Sequence, residues 1–209
     1  MDRYLPMLEG QRVGILCNHT AMVADRHLVD TFSSLGVNIL TVFAPEHGFR
    51  GTADAGEHVA TYKDAATGID VFSIYGSNKK PPVDEICKLD VVVFDIQDVG
   101  MRYYTYLSSM HYMMESCAEA GVPMIVLDRP NPNGKYVDGP VLEKKHESFV
   151  GMHPIPVVHG MTLGEIVRMI YGEGWLAGGV KGAVTGHCGD NYTDQTVIDL
   201  ADAPSPKLP

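Results

Sequence analysis

A chain of 209 residues with 45% apolar and 20% charged content has the balance of a globular protein able to bury a sizeable core. Its 16 Lys and Arg against 26 Asp and Glu leave a formal charge of −10, which argues against a nucleic-acid partner, because phosphate backbones are gripped by clustered basic residues. The longest apolar runs, 91–94 and 124–127, are strand-sized and far short of the roughly 20 residues that span a bilayer, so no membrane span is expected.

Short β-branched runs alternate with helical periodicity, the pattern of parallel strands joined by crossover helices. Residues 13–17 form the first expected strand and 25–35 a helix closed by Gly36. A second strand is expected over 37–43 and a shorter one over 71–74. Residues 91–95 read as a strand buried on both faces, followed by an amphipathic helix over 102–120 that stops at Gly121. The next strand covers 124–128. A Pro- and Gly-rich stretch over 130–140 leads to an extended piece at 155–158 and a helix over 162–171. That helix carries a capping box, with Thr162 as N-cap and Glu165 three residues on.

Near-continuous apolar strands in such an alternation specify an α/β fold: an open, mainly parallel sheet with helices on both faces. Residues 1–186 are read as this domain. Residues 187–209 turn polar and proline-rich, and the terminal Ala203-Pro204-Ser205-Pro206-Lys207-Leu208-Pro209 cannot form a helix or a central strand. They read as a connector toward a second, smaller domain absent from the chain. Cys17, Cys87, Cys117 and Cys188 are widely spaced without a CxxC pair and are expected to be buried free thiols. No signal-peptide pattern opens the chain, which leaves a cytoplasmic protein or one whose leader has been removed.

Ligands of open α/β sheets bind beyond the carboxyl ends of the strands, so the residues after each apolar run are the informative ones. Strand one runs into Asn18-His19-Thr20, strand two into Pro45-Glu46-His47-Gly48-Phe49-Arg50-Gly51, and the short strand into Tyr75-Gly76. The buried strand ends in Asp95-Ile96-Gln97-Asp98, followed by Arg102-Tyr103-Tyr104, and the next in Asp128-Arg129-Pro130-Asn131. Carboxylates, imidazoles, amides, arginines and tyrosines thus converge on one rim. GxGxxG, GxxxxGK[ST] and GxSxG are all missing, which removes a dinucleotide fingerprint, a P-loop and a serine nucleophile elbow. A carboxylate-, arginine- and tyrosine-rich site remains, suited to acid-assisted cleavage of a glycosidic bond, with no cofactor implied.

Glu46 is the leading catalytic candidate, since a desolvated Glu can hold its proton and serve as general acid; the alternative is a salt bridge to Arg50. Asp98 is expected to be more exposed than Asp95, which can turn into the sheet; the bland alternative for Asp98 is a helix-start carboxylate. Arg102 and Arg129 can grip a substrate carboxylate or pair internally with Asp98 and Asp128. Tyr103, Tyr104 and Tyr106 cannot share one helix face, so at least one belongs to the core. A metal site built on His19, His47 and Asp95 lacks ligand spacing, and none is assigned.

The strings around Gly14 to Thr20, Phe43 to Gly51, Val93 to Gly100, Arg102 to Tyr106, Leu127 to Pro132 and Val158 to Thr162 together resemble the bacterial exo-lytic β-N-acetylmuramidases. That resemblance implies a Rossmann-like N-terminal domain and a smaller C-terminal domain, with the catalytic cleft between them. It places the catalytic glutamate at Glu46 and makes a peptidoglycan-derived saccharide the partner, in the periplasm or outside the cell. The second catalytic group is then Asp98, Glu143, a residue of the absent domain or the substrate's own acetamido oxygen. Asn18, His19, His47, Arg50, Asp95, Gln97, Arg102, Tyr104, Asp128, Arg129, Asn131 and His159 are the expected substrate contacts. Arg102 or Arg129 would suit the lactyl carboxylate of muramic acid. One departure from the family pattern is Lys207 after Pro204-Ser205-Pro206, where Asn is usual.

Overall fold

The computed structural model describes residues 1, 3–51, 61–179 and 196–199. In chain order the elements are β1 (Val13–Cys17), β2 (Met22–Val23), β3 (Arg26–His27), α1 (Leu28–Ser34), β4 (Ile39–Ala44), β5 (Tyr62–Lys63) and β6 (Asp70–Ser73). There follow α2 (Val83–Ile86), β7 (Val91–Asp95), α3 (Thr105–Ala120), β8 (Met124–Asp128), α4 (Leu163–Glu173) and β9 (Thr196–Asp199). The main sheet has the order β5-β6-β4-β1-β7-β8-β9, and all neighbours run parallel except β5 against β6. Without β5, the parallel strands follow the doubly wound order 3-2-1-4-5-6, in which the connection reverses between β1 and β7. The sheet is the expected Rossmann-like α/β architecture.

Every residue of β1, β7 and β8 is buried, because both faces of these strands are covered. Alternate side chains serve two cores. Leu16, Val92, Phe94, Met124 and Val126 pack under α3 and α4, whereas Val13, Ile15, Val91, Val93, Ile125 and Leu127 meet α1 and the N-terminal segment. Gly121, left-handed at φ 67, ends α3, and the capping box read at Thr162 and Glu165 forms at the start of α4.

Several boundaries differ from expectation for local reasons. The helix expected over 25–35 shortens to Leu28–Ser34 because β2 and β3 pair as a small antiparallel hairpin. His27 then caps the helix, its Nδ1 accepting from the Val29 amide while Nε2 donates to the Asn18 carbonyl. Helix α3 starts at Thr105, not at residue 102, because the Arg102 amide donates to the Val157 carbonyl and Met101 bridges to Val158. Residues 196–199, read above as connector, add a parallel strand beside β8; the other residues of the expected connector lie outside the described residues. Cys17 and Cys117 are buried thiols as expected, but Cys87 is disulfide-bonded, which corrects the free thiol expected there. Cys188 lies outside the described residues. Among the described residues no helix is long and apolar enough to cross a membrane.

The last residue of β7 and the first after β8 form a buried ion pair. Arg129 Nε donates to Asp95 Oδ1 at 2.6 Å and Nη2 to Oδ2 at 2.9 Å, with the side chains 3% and 1% exposed. Burial pushes the Asp95 carboxyl up, and the bidentate guanidinium opposes that shift. Arg129 Nη2 also donates to the Met22 carbonyl at 3.2 Å, so the ends of β7 and β8 are joined to β2. Asp95→Asn should cost about 3–5 kcal/mol in urea unfolding, because it leaves a buried guanidinium without its counter-charge. Adding Arg129→Met should recover part of that loss; a double variant as unstable as the sum of the singles would show the two groups to be independent.

Candidate active site

Glu46 leaves the end of β4 beside the switch region, half-buried at the side of an open cleft of about 490 Å³. Glu46, Tyr75 and Lys79 line the cleft together with Thr105, Phe149 and Val150. The Thr105 hydroxyl, on the first residue of α3, donates to Glu46 Oε2 at 2.8 Å. The Tyr75 hydroxyl, just beyond β6, lies near the same carboxylate, and losing its proton next to that charge is disfavoured, which holds the phenol above its ordinary range. No Lys or Arg pairs with Glu46 among the described residues.

The chain turns sharply after Glu46. His47 has φ 69, a left-handed backbone on a residue with a full side chain, and Gly48 follows at φ 73. At Gly51, φ 71, an added Cβ would lie 2.9 Å from His19 Cγ, so the glycine lets this loop close on the loop after β1. Burial and the neighbouring His47 push His19 below its ordinary pKa, and its Nδ1 is buried without a partner among the described residues.

A second polar group lies at the switch point. Asp98 Oδ2 accepts from the Gly100 amide at 2.7 Å, and His159 Nε2 stands 3.6 Å away. His159 Nδ1 accepts from the Met161 amide, which leaves the proton on Nε2, facing Asp98. The Gln97 amide nitrogen donates to the carbonyls of Asp98 and Pro130. Asn18 Oδ1 accepts from the Thr20 amide and hydroxyl. Among the described residues Asn18 Nδ2, Gln97 Oε1, Asp98 Oδ1 and His159 Nε2 are buried polar atoms without a hydrogen-bond partner. Such atoms are costly to leave unmet, and four of them belong to this one region. Tyr104 links the two groups: burial, Asp98 and Glu46 together push its phenol up.

Other expected contacts are engaged within the fold. Asp98, expected to be the more exposed of the two aspartates, is buried like Asp95, and it closes the turn at Gly100 instead of starting a helix. Arg129 pairs with Asp95 and not with Asp128. Asp128 accepts from the Thr162 hydroxyl and the Gly164 amide, holding the start of α4. Arg102 Nη1 donates to the carbonyls of Pro140 and Ile155. Arg50, the salt-bridge partner considered for Glu46, instead grips both Asp30 and Asp64. Asn131 ties the Met161 carbonyl to the Asn133 amide and packs on Gly100, where a Cβ would meet its Oδ1 at 2.3 Å. With Asp95 given to Arg129, the set of His19, His47 and Asp95 does not assemble, and no group of three or more His, Cys, Asp or Glu side chains among the described residues is arranged to hold a metal ion.

Tyr106, by contrast with Tyr104, turns into the core. Thr105 and Tyr75 were visible only as neighbours of stronger motifs, and Lys79, Phe149 and Val150 carry no sequence signal at all. Their loops reach Glu46 through contacts on α3.

Fold and site together define a doubly wound α/β domain with a carboxylate-centred cleft at the carboxyl ends of its strands. Residues 13–209 match the family described as exo-beta-N-acetylmuramidase NamZ, N-terminal, and the chain belongs to that family. It is 43% identical over 173 residues to the peptidoglycan beta-N-acetylmuramidase NamZ of Bacillus subtilis (strain 168), covering 81% of this chain and 42% of that protein. Crystal structures of two DUF1343 family proteins from Bacteroides fragilis NCTC 9343 each match with a TM-score of 0.77, at 44% and 38% identity. These matches cover 88% and 89% of this chain and 48% and 46% of the respective structures. The chain spans about half the length of the relatives it matches.

The Arg50 cluster predicts an acid response. Arg50 foremost, against the effect of burial and helped by Thr67, holds Asp64 at about 2. A depressed carboxylate contributes stability that is fully present above its unfolded pKa, ~4, and is lost as pH falls through the folded value. The melting temperature of the wild type should therefore exceed that of Arg50→Met most at pH 5–7, and the gap should narrow between about pH 4 and pH 2. A gap independent of pH in circular-dichroism melts would mean that the arginine acts through packing alone.

Proposed function

We propose that this chain is the acid-bearing half of an exo-acting β-N-acetylmuramidase, which hydrolyses the β-1,4 bond of a non-reducing-end N-acetylmuramic acid in peptidoglycan fragments. One observation carries the reading: Glu46 stands on an open cleft, accepting from the neutral Thr105 hydroxyl with the Tyr75 phenol near it, and no basic side chain is paired to it among the described residues. The printed activity of the Bacillus subtilis relative supports the substrate class. In this reading a sugar seated in the cleft strips water from Glu46, the condition under which a carboxyl keeps its proton. Glu46 passes that proton to the glycosidic oxygen as the bond to the anomeric carbon breaks, and water completes the hydrolysis.

Asp98 is the second carboxylate of the site in the same proposal. The Gly100 amide and His159 orient it, and the unpartnered atoms of Asn18 and Gln97 beside it receive sugar hydroxyl and acetamido groups. A following domain closes the cleft from the other side.

In the full-length protein Glu46→Gln should lower kcat on a muramic acid–glucosamine disaccharide by ~10²–10⁴-fold. The loss should be much smaller on a para-nitrophenyl β-N-acetylmuramide, whose leaving group departs without a proton. Equal losses on both substrates would remove the acid role from Glu46. A wild type that binds the sugar and cleaves neither would make the domain a binding module.

A further inference from the structure

We propose that Lys79, held over the Phe149 ring, is the residue that recognises the carboxylate of the substrate's lactyl ether and so separates muramic acid from glucosamine at the Glu46 cleft; this rests on the function proposed above. The lactyl group is a branched substituent with a carboxylate and a methyl. Reading it requires a cation and an apolar wall side by side. The arginines of the rim do not supply the cation: Arg129 is buried against Asp95, Arg50 is shared by Asp30 and Asp64, and Arg102 is turned to backbone carbonyls.

Lys79 lines the same cleft as Glu46 and has no carboxylate partner among the described residues. Its Nζ lies 4.5 Å from the Phe149 ring centroid. Such a cation–π contact orients an ammonium without neutralising it, so its charge stays available to an anion. Val150, 56% exposed, adds the apolar surface next to it.

Both loops are fastened to α3, which gives the pair a fixed position. On one side, Lys80 bonds Glu119 at 2.7 Å and Glu115 at 3.1 Å, and the Ser116 hydroxyl donates to the Pro81 carbonyl at 2.7 Å. With Lys80 directed to the helix, its neighbour is left to the cleft. On the other side, the Ser108 hydroxyl donates to the Phe149 carbonyl at 2.6 Å, and the Phe149 ring stacks on Tyr112 with an interplanar angle of 11°. The same helix supplies Thr105 to Glu46, so acid and cation are registered on one rigid element.

The test compares wild type, Lys79→Met and Lys79→Arg in the full-length protein. The substrates are para-nitrophenyl β-N-acetylmuramide and its lactyl methyl ester, which keeps the shape and removes the charge. Lys79→Met should lose ~10–100-fold in kcat/KM on the acid, mostly through KM, as expected for one charge-assisted contact. Lys79→Arg should restore most of it. On the ester the three enzymes should converge, a result that a merely structural lysine would not produce. If the wild type cleaves the acid and Lys79→Met cleaves it equally well, or loses as much on the ester as on the acid, the assignment of Lys79 is overturned and the proposed function stands. A wild type that cleaves neither substrate overturns both.

Discussion

Two opposite charges taken out of water need each other, and that requirement sets the geometry of the switch point. Asp95 and Arg129 can remain buried only while the ends of β7 and β8 stay in register, with the Met22 carbonyl as the third party. Everything beyond those strand ends inherits the constraint. The Gln97 backbone amide donates to the Thr20 hydroxyl, which donates to Asn18, and the Gln97 side chain donates to the Pro130 carbonyl, so three loops are sewn together two residues past the ion pair. The polar atoms around Asp98 are therefore presented by a preorganised frame, the condition under which buried hydrogen-bonding groups favour a bound ligand instead of rearranging.

On the opposite face of the sheet, α3 has a comparable part. Three positions along the helix each hold a different loop: Thr105 meets Glu46, Ser108 the Phe149 carbonyl, and Ser116 the Pro81 carbonyl. Its middle is polar in a way that only a buried network tolerates. His111 Nδ1 shares a 2.9 Å hydrogen bond with His153 Nε2, and His111 Nε2 meets Glu115 at 3.2 Å. Burial, with His111 adjacent, brings His153 down to about 3, so its imidazole is uncharged at neutral pH. Burial would raise Glu115, but His111, the Ala177 amide and Lys80 outweigh it and hold the carboxyl at about 2. Helix and loops are thus joined by directional contacts.

The fold was legible because its signals are local and repeated: apolar strands of five residues, a glycine after α3 and a capping box at α4. The position of Glu46 at a strand end was legible for the same reason. Pairings across long sequence distances were not. Arg129 has Asp128 as its neighbour in sequence, yet it meets Asp95, because adjacent residues at a strand end diverge while those on the next strand converge. Arg50 lies close to Glu46 in the chain and turns to Asp30 and Asp64 instead. The segment from Gly76 to Pro82 reads as a solvent loop, and only its anchorage on α3 reveals what Lys79 faces. In β9, Val197 and Ile198 are too short an apolar run to stand out from the polar residues around them.

The left-handed backbone at His47 has a consequence for how this protein can change. An L-residue with a full side chain is held there at a cost of about 1–3 kcal/mol, which glycine would relieve. Any selection for thermal endurance alone would favour glycine at that position and would relax the turn that aims Glu46 and packs against His19. Stability and the shape of this turn pull the position in opposite directions.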